Sequence, residues 1–99
     1  MEHYFCLLSN LLCRSVVSGS ASIVKPSCTD QMDYEGELGV IIGKEAKNVK
    51  KENAFEYIYG YTICNDITAR DLQKRHQQFS IGKSLDGFFP LGELLRPAI

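Results

Sequence analysis

Apolar and polar positions alternate most clearly in residues 33–44, DYEGELGVIIGK. There a period of two places Asp33, Glu35, Glu37, Gly39 and Ile41 on one face and Tyr34, Gly36, Leu38, Val40 and Ile42 on the other. That pattern predicts a strand, and its apolar run LGVII predicts one buried on both sides. Gly43 and the polar KEAKN end it in a turn. VKKENAFEYIYG then predicts a helix, with Asn48 as N-cap, an apolar stripe of Phe55, Ile58 and Tyr59, and Gly60 as the C-terminal stop. YTICND predicts a second strand with Thr62, Cys64 and Asp66 on one face. ITARDLQKRHQQ is polar and predicts a loop with one or two helical turns, while FSIGKSLDGFFPLGELL, broken by glycines and a proline, predicts short extended pieces. Upstream, SIVKPSCTDQM predicts a short strand at Ile23 and Val24 followed by a loop from Pro26. The order β, β, α, β, irregular, β is that of an α+β chain in which the sheet dominates, without internal repeats.

Composition narrows this picture. With 99 residues, 44% of them hydrophobic and 23% charged, the chain can build one modest core, so it is one domain or part of one. A formal net charge of -1 carries no clustered basic excess, which argues against nucleic acid and an anionic membrane surface as partners. No apolar run approaches the ~18 residues of a membrane span. The first stretch, MEHYFCLLSNLLCRSVVSGSAS, lacks a basic start, carries Glu2, and has its apolar run broken by Ser9 and Asn10, all of which weigh against a secretory signal. Cys6, Cys13, Cys28 and Cys64 form no CxxC pair, and reduced thiols in a cytoplasmic setting are the expectation, with a mitochondrial one second.

The chemistry concentrates in the carboxylates. Residues at i and i+2 on a strand lie about 6–7 Å apart at Cα and project from one face, so Glu35 and Glu37 repel one another unless solvated or bridged. A hard divalent cation relieves that repulsion, and Asp66 completes a set of three oxygen donors. The alternative is an amphipathic strand whose acids face water, and the spacing alone leaves both open. His76 reads as a solvated side chain and His3 as a residue of the leader. Asp71 reads as a local ion pair with Arg70. Lys44, Lys47, Lys50 and Lys51 read as a solvated cluster, Cys64 as a small core residue, and Phe88, Phe89 and Pro90 as packing.

Three segments in series, DYEGELGVIIGK, AFEYIYGYTICNDITARDLQ and GKSLDGFFPLG, resemble the fumarylacetoacetate hydrolase family over residues 25–91. The resemblance implies a sheet-rich, partial mixed β-roll with one short helix and irregular loops. It implies that Glu35, Glu37 and Asp66 ligate Mg²⁺, Mn²⁺ or Ca²⁺, that Arg70 and Gln73 bind the substrate or line its pocket, and that Lys83 is a catalytic cation near the metal. The implied activity is metal-dependent C–C bond hydrolysis of a small oxo- or diketo-acid, or a related decarboxylation or isomerisation through an enolate. A homodimer is implied where the full domain is present.

Family members continue well past the PLG segment, and their hydrolytic forms carry a His–Glu pair upstream of the acidic strand that has no counterpart here. Glu93 stands where a proline is frequent. Residues 1–24 are therefore expected to be a divergent leader, and residues 25–99 the N-terminal part of a catalytic domain. Two alternatives to an active enzyme follow: a catalytically incompetent fragment that retains only the metal-ligand strand pair, or a structural module whose acidic strand is solvated.

Overall fold

The computed structural model describes residues 13–93, 96 and 97. Two elements form the framework: β3, Gly36–Ile42, and β4, Ile58–Asn65, which pair antiparallel from Gly36↔Asn65 to Ile42↔Ile58. Val40, Ile41, Ile42, Ile58, Thr62 and Ile63 supply the β-branched side chains that suit a pleated surface. The register shifts between Ile41 and Ile42, leaving Tyr59 as the extra residue on β4, a bulge that bends the pair near its loop end.

β4 also receives β6, Phe89–Leu91, and β7, Arg96–Pro97, both antiparallel. β1, Val16–Ser18, adds to β6 in parallel and forms one edge of the sheet, while β3 forms the other. β1 lies in the stretch expected to be a leader, and a 3-10 turn, Cys13–Ser15, precedes it. A second, two-stranded ladder joins β2, Met32–Asp33, to β5, Thr68–Ala69. Two short helices follow β5: α1, Arg70–His76, and α2, Phe79–Lys83. The whole is a mixed sheet with few helices, an α+β fold as the sequence predicts.

The core sits where the helices meet the two ladders. Ile67, Ala69 and Phe88 are buried, and Ile23, Leu72 and Leu85 pack on them. Phe88, wholly enclosed, bears out its reading as packing. Gly82 lets α2 approach β5 and α1, because a Cβ there would lie 2.9 Å from the Ala69 carbonyl oxygen and 3.1 Å from Gln73 Cβ. That approach sets the position of Lys83, the next residue.

Four local expectations are corrected. The helix foreseen around Asn48–Gly60 is a 3-10 helix, Lys51–Tyr57, and Ile58, Tyr59 and Gly60 belong to β4. Among the described residues its apolar stripe meets no core, with Phe55 75% exposed, and a short helix without tertiary packing has little to hold it in α form. Asn48 takes a positive φ of 54° in the preceding loop, so Lys50 precedes the helix as its cap. Ile23 and Val24 form no strand; Val24 is exposed and Pro26 follows closely. Phe79–Lys83, expected to be extended, is helical.

The run LGVII is not buried on both sides. Leu38, Val40 and Ile42 face outward beside Tyr59 and Ile63, and Leu38 and Ile63, a cross-strand pair, are 68% and 74% exposed.

Candidate metal centre

The inward face of the β3–β4 pair ends in acids. Gly60, Thr62 and Cys64 alternate inward along β4, and Asp66 continues that parity one step beyond the strand. Glu37 lies opposite Cys64 on β3. Glu35 precedes β3, yet its backbone stays in register: its carbonyl accepts from Asp66 N–H at 2.9 Å and its own N–H donates to Asn65 Oδ1 at 3.0 Å. Strand alternation therefore delivers three carboxylates to one spot, with ligand oxygens of Glu35, Glu37 and Asp66 all within 4.8 Å of one another.

Lys83 closes this cluster from α2. Its Nζ donates to Glu35 Oε2 at 2.8 Å, to Asp66 Oδ2 at 2.7 Å and to Thr68 Oγ1 at 2.9 Å, so each ammonium hydrogen has a partner. Lys83 is 6% exposed and Asp66 3%, making this a buried ion pair. Burial pushes the lysine toward its neutral form, but the hydrogen bonds and charges of Asp66 and Glu35 outweigh it, and its pKa is raised.

Arg70 bounds the cluster on the other side. Its Nη2 lies 2.6 Å from Glu35 Oε1, its Nε donates to Asp33 Oδ2 at 2.9 Å, and its Nη1 donates to Gln73 Oε1 at 3.2 Å. The hydrogen bond to Asp33 is the largest influence raising its pKa, ahead of an opposing burial effect and of Glu35. Glu35 feels burial first, which favours its neutral form, yet Lys83 and Arg70 together draw its pKa down.

Glu37 has neither cation as a direct partner. Partial desolvation, then the negative charges of Asp66 and Glu35 against an opposing Lys83, raise its pKa. The Cys64 thiol is pushed up by burial and by the charges of Glu37 and Asp66. It sits inside the sheet and contacts the Glu37 carbonyl oxygen at 3.7 Å, in keeping with its expected core role.

This donor set fits a hard divalent cation. Asp66 Oδ1 is buried and has no hydrogen-bond partner among the described residues, an arrangement that costs free energy unless something positive meets it. Glu37 offers a carboxylate with no ion-pair partner among the described residues. Asp33, Glu35, Glu37 and Asp66 set against Arg70 and Lys83 leave two negative charges uncompensated, and all the open donors are oxygens.

The structure thus brings Glu35, Glu37, Asp66, Lys83, Arg70 and Gln73 together. One neighbouring expectation is corrected: Asp71 does not pair with Arg70. Its carboxylate accepts from Thr29 Oγ1 and from the backbone N–H of Asp30 and Leu72, because its position on α1 points it at the preceding loop. His76 ends α1 in an exposed position, as expected of a solvated side chain. Lys44 lies over the Tyr57 ring at 4.5 Å, and Lys47, Lys50 and Lys51 are exposed. Among the described residues Cys28 and Cys64 are free thiols. His3 and Cys6 lie outside the described residues.

Sequence reading missed Thr68, which is fully buried between Lys83 and the carboxylates and whose hydroxyl donates to the Asp66 carbonyl at 3.2 Å, with Glu35 Oε1 a more distant acceptor at 3.4 Å. The spacing of Asp66 and Thr68, i and i+2 in extended backbone, carried the signal.

Fold and site together define an α+β sheet domain in which strand ends gather carboxylates around a buried lysine. The chain belongs to the fumarylacetoacetate hydrolase family: the family model described as Fumarylacetoacetate (FAA) hydrolase C-terminal matches residues 10–99. It is 58% identical over 81 residues to the oxaloacetate tautomerase YisK of Bacillus subtilis, a match covering 80% of this chain and 27% of that protein.

Among solved structures, it resembles the fumarylacetoacetate hydrolase of Exiguobacterium antarcticum, with a TM-score of 0.81 and 49% identity, over 85% of this chain and 31% of that one. It also resembles the 5-carboxymethyl-2-hydroxymuconate delta-isomerase of Mycobacterium smegmatis, with a TM-score of 0.83 and 36% identity, over 87% and 34%. The chain therefore spans about a third or less of the length of these relatives. No helix among the described residues is long and apolar enough to cross a membrane.

Proposed function

We propose that this chain carries the metal-binding part of a family catalytic site that acts on a small oxo- or diketo-acid. In this reading Glu35, Glu37 and Asp66 hold Mg²⁺, Mn²⁺ or Ca²⁺. The observation that carries it is the carboxylate cluster with its unpartnered, buried Asp66 Oδ1. Bound there, the cation would polarise the substrate carbonyl as a Lewis acid.

The chain's own residues have separable tasks. Arg70, steadied by Asp33 and Gln73, presents a planar guanidinium suited to a substrate carboxylate. Gln73 adds a polar group beside it. Lys83 is a fixed positive charge held by Thr68, Asp66 and Glu35, and in this reading it would stabilise the negative charge that develops as a bond next to the carbonyl is made or broken. C–C hydrolysis, decarboxylation and isomerisation share that demand, and the likeness to a tautomerase and an isomerase favours proton relocation in an oxo-acid among them.

The catalytic part is placed in residues 25–99, with the strand at Val16–Ser18 adding to its sheet. A homodimer of the complete domain and a cytoplasmic setting belong to the same proposal, the latter supported by the free thiols of Cys28 and Cys64. A second reading, metal binding without turnover, is favoured by the engagement of every Lys83 donor within the chain.

Titration calorimetry with Mn²⁺ and Mg²⁺, with and without oxalate as an enolate mimic, tests the site. Binding that disappears in Glu35→Ala and Asp66→Ala is expected. Absence of binding, or binding unchanged in both variants, overturns the proposal. Metal binding with no turnover of oxaloacetate or an acylpyruvate selects the second reading.

A further inference from the structure

We infer that Asp71 is a positioning residue, which through Thr29 and Asp30 fastens the segment bearing Asp33 and Glu35 to the helix bearing Arg70 and Gln73. The bearing of this latch on metal affinity rests on the metal-dependent reading of the site, to which it adds a residue whose side chain bonds neither a metal ligand nor a substrate-binding group.

Segments 29–37 and 62–71 run alongside each other as one seam. At one end is the β3–β4 ladder, followed by the Glu35 and Asp66 backbone bond. The two-residue β2–β5 ladder comes next, then Arg70 N–H donating to the Gln31 carbonyl at 2.8 Å. Asp71 makes the last stitch. One of its oxygens accepts from the Thr29 hydroxyl and the other from Asp30 N–H at 3.0 Å, while the Thr29 hydroxyl accepts from Gln31 N–H at 3.2 Å.

A two-stranded ladder of two residue pairs is marginal by itself in water. Residues 25–31 have no regular structure to support it. Thr29 is nonetheless 1% exposed, held by Asp71 and by Lys25, whose ammonium donates to the Thr29 carbonyl. The latch therefore fixes the end of the seam from which Asp33 and Arg70 face each other. Loosening it lets that pair, and Glu35 two residues beyond Asp33, lose their common position.

The test compares wild type, Asp71→Ala, Thr29→Val and Thr29→Ser for Mn²⁺ affinity by calorimetry under conditions where circular dichroism shows each to be folded. Asp71→Ala and the nearly isosteric Thr29→Val should weaken Mn²⁺ binding by up to about 10-fold, less than the ~10- to 100-fold cost of losing a direct partner of a metal ligand, and Thr29→Ser should restore it. Wild-type affinity in Thr29→Val overturns the inference even if Asp71→Ala fails to fold.

Absence of Mn²⁺ binding in the wild type would remove the metal reading but not this one. Amide exchange in EDTA then decides it: Thr29→Val should lose protection at Arg70 while the β3–β4 ladder keeps its own. Equal loss at both, or no loss, overturns the latch.

Discussion

Lys83 Nζ lies 2.7 Å from Asp66 Oδ2, and both side chains are nearly sealed from solvent. A buried pair of this kind is weak evidence for stability as a pair, but removing one member leaves the other charged and uncompensated. Here the orphan would be Asp66, already carrying one unpartnered oxygen.

Lys83→Met should therefore destabilise the fold by about 3–5 kcal/mol in EDTA. Mn²⁺ should recover more of the melting temperature in this variant than in wild type, because the added cation replaces the missing positive charge. Thermal melts with and without metal check both halves, and equal metal-induced shifts would contradict the charge argument.

Asp71 gives a pH signature. Its hydrogen bond from Thr29, followed by that from Asp30 N–H, lowers its carboxyl from the ordinary 3.8 to about 2. A carboxyl depressed on folding stabilises fully above its unfolded value, and that contribution is lost as pH falls through 3.8 toward about 2. The stability difference between wild type and Asp71→Asn should be constant near neutrality and shrink across that acid window. Urea unfolding at a series of pH values measures it, and a difference that grows on acidification would refute the assignment.

Gly82→Ala should displace α2, since the new methyl would meet the Ala69 carbonyl oxygen at 2.9 Å, a backbone atom that cannot swing aside. The expected cost is about 1–3 kcal/mol, as for other overpacked sites. Because Lys83 is the next residue, Mn²⁺ affinity should change along with stability. A variant of wild-type stability and affinity would show that the α2 contact does not position the lysine.

Leu38 and Ile63 face away from the carboxylates, on the outer side of the β3–β4 pair. Together with Val40, Ile42 and Tyr59 they form an exposed apolar surface across the edge strand β3 and its neighbour β4, a combination that favours self-association. The double substitution Leu38→Thr, Ile63→Thr should reduce binding of a hydrophobic dye and raise solubility while leaving Mn²⁺ affinity unchanged. Lost metal binding in a folded double variant would mean that the two faces are not independent.

The site was legible wherever it depended on parity. A period of two in extended backbone puts Glu35 and Glu37 on one face of their strand and Thr62, Cys64 and Asp66 on one face of theirs, and no tertiary contact is needed to deduce either, whereas the Glu37↔Cys64 register is what makes the two faces coincide. The segments DYEGEL, NDITARDLQ and GKS carried the family resemblance as well, so Lys83, Arg70 and Gln73 could be placed beside the acids despite their separation along the chain. The failures occurred where packing decides. LGVII has the composition of a strand buried on both faces, but no described element covers Leu38 and Val40. AFEYIYG has a helical stripe, but β3 offers Ile58 and Gly60 a ladder of hydrogen bonds, and that pairing outweighs a stripe with nothing to pack against.

By itself, then, the sequence determined the parity of the carboxylates, the two strands that bear them and the family, because alternation and local wording are properties of consecutive residues. Only the tertiary structure decided that Lys83 binds Glu35, Asp66 and Thr68 at once, and that Asp71 turns from its neighbour Arg70 to Thr29, 42 positions away. These contacts depend on how α1 and α2 dock on the ladders. That docking is set by the shared burial of Ile67, Ala69 and Phe88 and by the close approach that Gly82 permits, which no local pattern encodes.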